Sequence, residues 1–256
     1  MNEPPRATDV IIETTGLTKE FQGFTAVKNV DLKIKRGTIH ALIGPNGAGK
    51  TTVFNLLTKF LQPTAGRIVH RGDDITFMKP ADVALRGVVR SFQISAVFPH
   101  LTVRENVRLA LQRPLGVSYD FWRSETSLAS LHPRAEELLE AVGLVNFADL
   151  TASELSYGRK RALEIATTLA LDPEVLLLDE PTSGLGLEDV ERIANLIKTV
   201  AAARTVLMVE HNLSVVSRLS DVITVLARGQ ILAEGDYAAV SRHPDVIQAY
   251  MGADHE

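Results

Sequence analysis

The chain has 256 residues, of which 45% are hydrophobic and 23% are charged, and its 27 basic and 31 acidic side chains give a net charge of −4. These values are close to the averages for globular proteins and exclude a disordered, collagen-like or coiled-coil chain. A slightly acidic chain lacks the basic balance of nucleic-acid-binding proteins, so we expect no nucleic acid among its partners. Because the chain has no cysteine, disulfides, thiolate zinc sites and cysteine nucleophiles are excluded.

The apolar segments of the sequence are short. The first residues contain no apolar run behind a basic stretch, which a secretory signal requires. The apolar run at 175–178 is far shorter than the ~20 residues that cross a bilayer. We therefore expect the chain to lie in the cytoplasm and any membrane span to belong to another subunit.

The first third of the sequence predicts an antiparallel sheet followed by a strand, a loop and a helix. Apolar and charged residues alternate over 30–35, as in a half-buried strand. Residues 39–43 predict a second strand, 44–49 form a glycine-rich turn, and 50–61 predict a helix that ends before Pro63.

The rest of the sequence predicts a helical insertion and then a wound α/β sheet. Helix formers dominate 94–163, and strand patterns are missing there. The uninterrupted apolar runs at 175–178 and 206–209 are typical of parallel strands that are buried on both faces. Helices predicted at 188–203 and 213–219 alternate with these strands, which favours an α/β fold.

One motif stands out between the second predicted strand and its helix. It reads Gly44, Pro45, Asn46, Gly47, Ala48, Gly49, Lys50 and Thr51 and matches the phosphate-loop pattern G-x-x-x-x-G-K-[ST] in full. Glycines let successive backbone N–H groups point at phosphate oxygens, and the helix start adds partial positive charge. Lys50 would contact the β- and γ-phosphates, Thr51 would ligate Mg²⁺, and Thr52 would add a hydroxyl. The alternative is a chance glycine turn, but a random match in such a chain has a probability on the order of one in a hundred.

A pair of acidic residues follows the apolar run at 175–178. Asp179 is the type of carboxylate that holds Mg²⁺ at a nucleotide site, and Glu180 is placed to orient or deprotonate an attacking water. The alternative is an ordinary strand end that carries two solvated acids. Together with the phosphate loop, the pair predicts a hydrolase of nucleoside triphosphates.

A third motif introduces a resemblance to a family. It reads Leu155, Ser156, Tyr157, Gly158 and Arg159, and it lies upstream of the acid pair and just before a helix-forming segment. It is similar to the L-S-G-G-Q signature of the ATP-binding cassette (ABC) ATPases, and the resemblance covers nearly the whole chain. It implies that Ser156, Tyr157 and Gly158 of one subunit contact the nucleotide held by the phosphate loop of a second subunit. Without the resemblance, Ser156 is equally well interpreted as a helix N-cap.

Three further positions match the same family. Gln93 resembles the glutamine that senses the metal and the attacking water, and His211 resembles the switch histidine that contacts the γ-phosphate. Phe21 occupies the place of the aromatic residue that stacks on adenine. The alternative for Phe21 is an ordinary core phenylalanine.

The sequence also departs from the common family pattern. Tyr157 replaces the first glycine of the signature, Arg159 replaces its glutamine, and Gly186 stands where many relatives have the D-loop aspartate. Tyrosine at position 157 resembles the ATP-binding subunits of importers for branched-chain and other hydrophobic amino acids. The segments 119–123, 209–212, 235–237 and 243–252 resemble that subfamily too.

The resemblance implies a complete architecture and a set of partners. We expect one ABC ATPase domain over 1–256 with a P-loop NTPase (RecA-like) core, an N-terminal antiparallel β subdomain and an α-helical subdomain at 94–163. ATP and Mg²⁺ are the expected ligands. The expected partners are transmembrane permease subunits, a second ATPase subunit as homodimer or heterodimer, and an extracytoplasmic solute-binding protein. The expected location is the inner face of the cell membrane.

Two alternatives to an importer subunit remain open from the sequence. One is the ATPase of an ABC exporter, and the other is a soluble ABC ATPase without a transport function. A non-hydrolysing regulatory module is disfavoured because Glu180 is present. Ile94, Val97 and Phe98 are either a groove for a helix of the permease or an ordinary apolar core.

Overall fold

Two β-sheets and the helices around them make up the fold. In the computed structural model of the protein, which describes residues 10–91, 97–113 and 130–251, the strands are β1 (Val10–Phe21), β2 (Phe24–Val30), β3 (Lys33–Lys35), β4 (Ile39–Ile43), β5 (Ala65–His70), β6 (Asp73–Asp74), β7 (Val88–Arg90), β8 (Val175–Asp179), β9 (Thr205–Val209), β10 (Val222–Ala227) and β11 (Gln230–Gly235). The helices are α1 (Lys50–Leu57), α2 (Pro80–Leu85), α3 (Val103–Gln112), α4 (His132–Ala141), α5 (Tyr157–Leu169), α6 (Leu187–Ala201), α7 (Leu213–Leu219), α8 (Tyr237–Ser241) and α9 (Pro244–Met251). Short 3₁₀ turns span Val145–Phe147 and Ala152–Glu154.

The smaller sheet is antiparallel, as the sequence predicts for the start of the chain. Its strands follow the order β2-β1-β5-β6, and β3 pairs with β1. Burial alternates over 30–35 as predicted, with Val30, Leu32 and Ile34 buried. The predicted single strand is nevertheless two segments, because β2 ends at Val30 and β3 begins at Lys33.

The larger sheet follows the order β11-β10-β4-β9-β8-β7, and all of its strands are parallel except β11 at the edge. Successive residues of β8 enter different hydrophobic clusters. Leu176 and Leu178 belong to a cluster with the helices of the middle and the end of the chain, and Val175 and Leu177 belong to one with α1 and the smaller sheet. Burial on both faces explains why the run is uninterruptedly apolar.

Helix α1 is shorter than the sequence predicts. It ends at Leu57 rather than at residue 61, because Lys59 adopts a left-handed backbone conformation with φ 65° that cannot continue a helix. The helix predicted at 213–219 has those bounds, and the one predicted at 188–203 is α6, Leu187–Ala201.

The middle of the chain is helical where the structure describes it. Helix α3 begins with a capping box, in which the Thr102 hydroxyl accepts a hydrogen bond from the Glu105 amide and the Glu105 carboxylate accepts one from the Thr102 amide. Residues 97–113 and 130–163 contain an isolated β-bridge between Thr102 and Thr151 but no named strand. Helix α5 continues through residue 163, where the helical subdomain was expected to end, as far as Leu169.

The parallel sheet brings the phosphate loop, the acid pair and the segment of His211 toward one region. The carboxyl ends of β4, β8 and β9 lie side by side at one edge of the sheet, which is where α/β proteins place their ligands. They lead into Gly44, Glu180 and Glu210 respectively. In the described ranges, no helix is long and apolar enough to cross a membrane.

Candidate nucleotide site

The phosphate loop connects β4 to α1, and its glycines are required by the backbone. Gly47 and Gly49 have φ values of 75° and 100°, which side chains with a Cβ rarely adopt. A Cβ on Gly49 would also lie 2.6 Å from the carbonyl oxygen of Ala26. The remaining residues of the loop are Gly44, Pro45, Asn46 and Ala48, and the hydroxyl-bearing Thr51 and Thr52 lie in the first turn of α1. This is the strand–loop–helix arrangement that a phosphate site needs.

Lys50 is buried beneath this loop. Its Nζ donates hydrogen bonds to the carbonyl oxygens of Gly44 at 2.7 Å and Pro45 at 2.9 Å. Burial lowers the pKa of Lys50, and the carboxylates of Glu180 and Asp179 partly oppose this shift. The ammonium group of Lys50 is therefore stabilised by both acidic residues.

Asp179 ends β8 and is buried beside an arginine that sequence reasoning did not identify. Its carboxylate forms an ion pair with the guanidinium of Arg90, the last residue of the neighbouring strand β7. Arg90 also donates a hydrogen bond of 2.5 Å to Oδ1 of Asn55 and lies over the ring of Phe54, both in α1. Arg90 thus links the helix of the phosphate loop to the acidic strand end.

Glu180 turns the chain out of the sheet. It has a φ of 47°, and its amide donates a hydrogen bond of 2.9 Å to the carbonyl oxygen of Val209 in β9. Its Oε1 lies 2.9 Å from Nε2 of His211. The structure therefore brings together Lys50, Asp179, Glu180 and His211, four residues that the sequence assigns to one site.

Glu210 holds the loop after β9 and was overlooked in the sequence. Its buried carboxylate accepts hydrogen bonds from the amides of Thr182 at 2.9 Å, His211 at 2.8 Å and Asn212 at 3.0 Å, and from the Thr182 hydroxyl. An ionised carboxylate that accepts several N–H groups is a strong organiser of loops. It fixes His211 relative to the segment that follows Glu180.

The signature motif begins helix α5. Ser156 occupies the N-cap position of α5. All residues of this helix are described, and the Ser156 side chain forms no capping hydrogen bond with them. Gly158 packs closely against α6, since a Cβ there would lie 2.3 Å from Cγ of Asp189 and would displace that side chain. Tyr157 is 43% exposed. Ser156 and Asp189 line a cleft of about 440 Å³ together with Gly186 and others, and its described lining includes no residue of the phosphate loop.

Two of the three departures from the family pattern, Arg159 and Gly186, have different surroundings. The guanidinium of Arg159 stacks on Phe147, 4.0 Å from the ring centroid, which is a favourable cation–π contact within the helical region. Gly186 is the N-cap residue of α6, with a φ of −71° that does not require glycine.

The remaining predicted residues lie in other places. Phe21 ends β1 and is 40% exposed, which argues against an ordinary core phenylalanine, and Nζ of Lys19 lies 5.1 Å from its ring centroid. Gln93 and Ile94 lie outside the described residues. Phe98 is exposed, whereas Val97 packs partly buried against the larger hydrophobic cluster.

Helix α9 lies near the phosphate loop, which the sequence did not reveal. Helix α9 and the loop both line a cleft of about 600 Å³, the helix with Asp245 and Gln248 and the loop with Asn46 and Gly47. Burial raises the pKa of Tyr250, and hydrogen bonding from the backbone of Gly44 opposes the rise.

Comparisons with known proteins agree with this geometry. The family model described as ABC transporter matches residues 27–183, and one described as branched-chain amino acid ATP-binding cassette transporter matches residues 230–256. The high-affinity branched-chain amino acid transport ATP-binding protein BraF of Pseudomonas aeruginosa is 40% identical over 252 residues, which cover 94% of this chain and 98% of BraF.

Solved structures give the same result for the fold. The ADP conformation of MJ1267, an ATP-binding cassette of an ABC transporter, superposes with a TM-score of 0.85 at 31% identity and covers 96% of this chain and 100% of that one. The dimeric structure of the bacterial ABC transporter cassette MJ0796 has a TM-score of 0.73 at 29% identity, with 88% and 98% coverage. By sequence and by fold, the chain belongs to the ABC transporter family as an ATP-binding cassette.

Proposed function

We propose that this chain is the ATP-hydrolysing subunit of an ABC importer for branched-chain or other hydrophobic amino acids. The observation that carries the proposal is the convergence of the phosphate loop, which holds Lys50, with the contact between Glu180 and His211 at the ends of the neighbouring strands β8 and β9. That convergence occurs at the edge of the sheet where the phosphate loop meets α1.

The loop binds the triphosphate of ATP. Backbone N–H groups from Gly44 to Thr52 and the partial positive charge of the α1 N-terminus attract phosphate oxygens. Lys50 donates hydrogen bonds to two carbonyl groups of the loop. When ATP binds, Lys50 donates to the β- and γ-phosphates instead, so its ammonium group has acceptors in both cases. Phe21, exposed at the end of β1, stacks on the adenine ring.

Mg²⁺ fits the oxygen donors at this place. The carboxylate of Asp179 and the hydroxyl of Thr51 are hard ligands of the kind that Mg²⁺ accepts beside substrate phosphates. The family resemblance adds the amide oxygen of Gln93, which lies outside the described residues. When bound, the ion neutralises charge on the β- and γ-phosphates. The Arg90–Asp179 ion pair holds the buried carboxylate in place at the end of β8.

Glu180 and His211 perform the hydrolytic step. Glu180 accepts a hydrogen bond from the attacking water and takes up its proton, while the water oxygen bonds to the γ-phosphorus and the bond to the β-phosphate oxygen breaks. His211 holds the Glu180 carboxylate at 2.9 Å and faces the γ-phosphate. The products are ADP and phosphate.

A second cassette completes the site. Ser156, Tyr157 and Gly158 present a hydroxyl and free N–H groups at a helix N-terminus, which is an anion site that this chain's own cap does not use. We infer that they cover the γ-phosphate bound to the partner subunit, as a homodimer or as a heterodimer with a sister cassette. The dimeric MJ0796 cassette supports this arrangement. ATP then favours the closed dimer by its differential affinity for that state.

The cargo and the partners follow from the relatives. The match at 230–256 and the identity with BraF support amino-acid import rather than export. The chain then works at the inner face of the membrane beneath permease subunits, supplied by an extracytoplasmic solute-binding protein. We infer that 1–93 and 164–256 carry the β subdomain and the nucleotide-binding core, and that 94–163 carries the helical signature subdomain, whose helix α5 continues to Leu169.

The test is purification of the complex from native membranes through a tag on this chain, followed by reconstitution in vesicles with MgATP on the cassette side. We expect two permease subunits to copurify and leucine, isoleucine or valine to enter only with ATP and a binding protein. Lys50→Ala should assemble but transport nothing. Export of solute, or a complex without membrane proteins, would contradict the proposal.

A further inference from the structure

Glu180 has a backbone conformation that needs support. Its φ of 47° lies in the left-handed region, where the Cβ of an ordinary residue crowds the backbone. Such residues persist only where their surroundings hold them, and they cluster at functional sites. The amide of Glu180 is held by the carbonyl of Val209.

The carbonyl oxygen of Glu180 is held by Arg161 from the signature helix. Arg161 lies in α5 and is 6% exposed, and its NH2 group donates a hydrogen bond of 3.1 Å to that oxygen. The Ser183 amide donates a second hydrogen bond of 3.1 Å to the same carbonyl. The peptide groups on both sides of the Glu180 Cα are therefore fixed.

A buried ion pair fixes Arg161 in turn. Its NH1 group donates a hydrogen bond of 2.8 Å to Oε2 of Glu164, whose side chain is 1% exposed. Burial raises the pKa of Glu164, and Arg161 opposes that rise. Because the guanidinium is planar and holds its donors in a rigid fork, the bond to Glu164 also sets the direction of the donor that meets Glu180.

We propose that Arg161 is a positioning residue for hydrolysis, which fixes the backbone of Glu180 and ties it to the helix that begins at Ser156. The proposal rests on the proposed function of Glu180. Because Ser156 meets the partner's nucleotide in that function, contact at one composite site is mechanically joined to the carboxylate of the other. A displaced Glu180 backbone misplaces the carboxylate relative to the attacking water.

The test separates the Glu180 contact from the ion pair. Glu164→Gln replaces the buried carboxylate by an amide whose oxygen can still accept from NH1 of Arg161, so that Arg161 stays directed at Glu180, and it serves as the control. Because this control leaves the Arg161 charge without its ion pair, its melting temperature is the reference for the double variant. The double variant Arg161→Met with Glu164→Gln removes the donor without leaving an unpaired buried charge, which would destabilise the fold by itself. Each variant is purified as the tagged complex and assayed for single-turnover ATP hydrolysis, ATP affinity and melting temperature.

We expect the double variant to hydrolyse ATP about 10- to 100-fold more slowly than Glu164→Gln, since a small misplacement of a reacting group has effects of this size. ATP affinity should stay within about twofold, because the donor acts on the step after binding. Equal hydrolysis rates in the two variants would overturn the proposal. A rate lost in proportion to ATP affinity and melting temperature would also overturn it, since that is the behaviour of a purely structural ion pair.

Arg161→Lys covers the case of a double variant that fails to fold. It keeps a positive charge beside Glu164 and loses the fork, so it should melt near the wild-type temperature and hydrolyse ATP more slowly. A wild-type rate in Arg161→Lys, with the double variant unfolded, counts against the proposal. Glu180→Gln separates the two hypotheses. If it hydrolyses ATP normally, the role of Glu180 is wrong, and if it is inactive while the double variant is fast, only the role of Arg161 is wrong.

Discussion

His211 and Glu180 share a hydrogen-bonding contact of 2.9 Å between Nε2 and Oε1, although 31 positions separate them in the sequence. The contact exists because β8 and β9 are parallel neighbours whose carboxyl ends meet at one edge of the sheet. Glu210 anchors the loop of His211 to Thr182, so both partners are held by the same pair of strand ends.

Replacing His211 should slow hydrolysis more than binding. We expect His211→Ala to lower the single-turnover rate by about 100-fold or more, in the range for a group that assists proton transfer, because the Glu180 carboxylate loses its partner. His211→Gln keeps a donor and should recover part of the rate. Because the side chain is largely exposed, the melting temperature should not change. An unchanged rate in His211→Ala would show that the contact has no role in the reaction.

The glycines of the phosphate loop should tolerate a methyl group very differently from Gly186. Gly49→Ala places a Cβ at φ 100° and 2.6 Å from the Ala26 oxygen, and we expect it to lower the free energy of unfolding by about 1–3 kcal/mol. Gly186→Ala adds the same group at φ −71°, where no described atom lies within 4 Å, and should change it by less than about 0.5 kcal/mol. Urea denaturation of both variants measures the difference, and equal effects would refute this account of the loop.

Acid should destabilise the fold through two buried histidines. Burial lowers the pKa of His40 to about 4, and burial together with Arg71 and Arg36 lowers that of His70 to about 4, both from 6.5. Between pH 4 and pH 6.5, these two histidines bind more protons in the unfolded chain than in the native state. The free energy of unfolding therefore falls as the pH falls from 6.5 toward 4.

Matched glutamine variants test this pH dependence. His40→Gln can keep the hydrogen bond that Nε2 makes with the Thr224 hydroxyl. It should make the dependence of the unfolding free energy on pH less steep between pH 4 and 6.5. His100→Gln, at an exposed position, should leave it unchanged. Parallel profiles for the wild type and His40→Gln in urea titrations would contradict the assignment.

Lys59 carries both backbone strain and an unusual charge. We expect Lys59→Gly to be more stable than Lys59→Ala by about 1 kcal/mol, because both lose the hydrogen bond from Nζ to the Thr76 oxygen but only glycine accepts φ 65° without strain. Burial lowers the pKa of Lys59 to about 8, so wild-type stability should rise between pH 8 and 10.5, where the unfolded chain binds more protons. Both variants should lose that rise. The measurement is urea denaturation at pH 7 and between pH 8 and 10.5. A larger free energy of unfolding for Lys59→Ala than for Lys59→Gly would contradict the assignment of backbone strain.

Contiguous motifs made much of the site predictable. The phosphate loop and the pair Asp179–Glu180 are local patterns whose neighbouring strands are also visible as apolar runs, so the parallel topology places them together. Leu176 and Leu177 are buried in different hydrophobic clusters, which confirms the prediction of a strand that is covered on both faces.

Contacts between distant residues were not predictable in the same way. Arg90 and Arg161 reach Asp179 and Glu180 across packed elements, and no local spacing distinguishes them from surface arginines. The end of α1 was misplaced because the only stop signal considered was Pro63, whereas lysine at position 59 takes a conformation usually left to glycine. Tertiary packing decides such positions.

The central claim is that Glu180 activates the water that hydrolyses ATP, and single-turnover phosphate release from the purified complex tests it most directly. The account predicts that Glu180→Gln binds ATP as tightly as the wild type and holds the closed dimer, while phosphate release falls by at least about 100-fold. Release at the wild-type rate from Glu180→Gln would contradict the account.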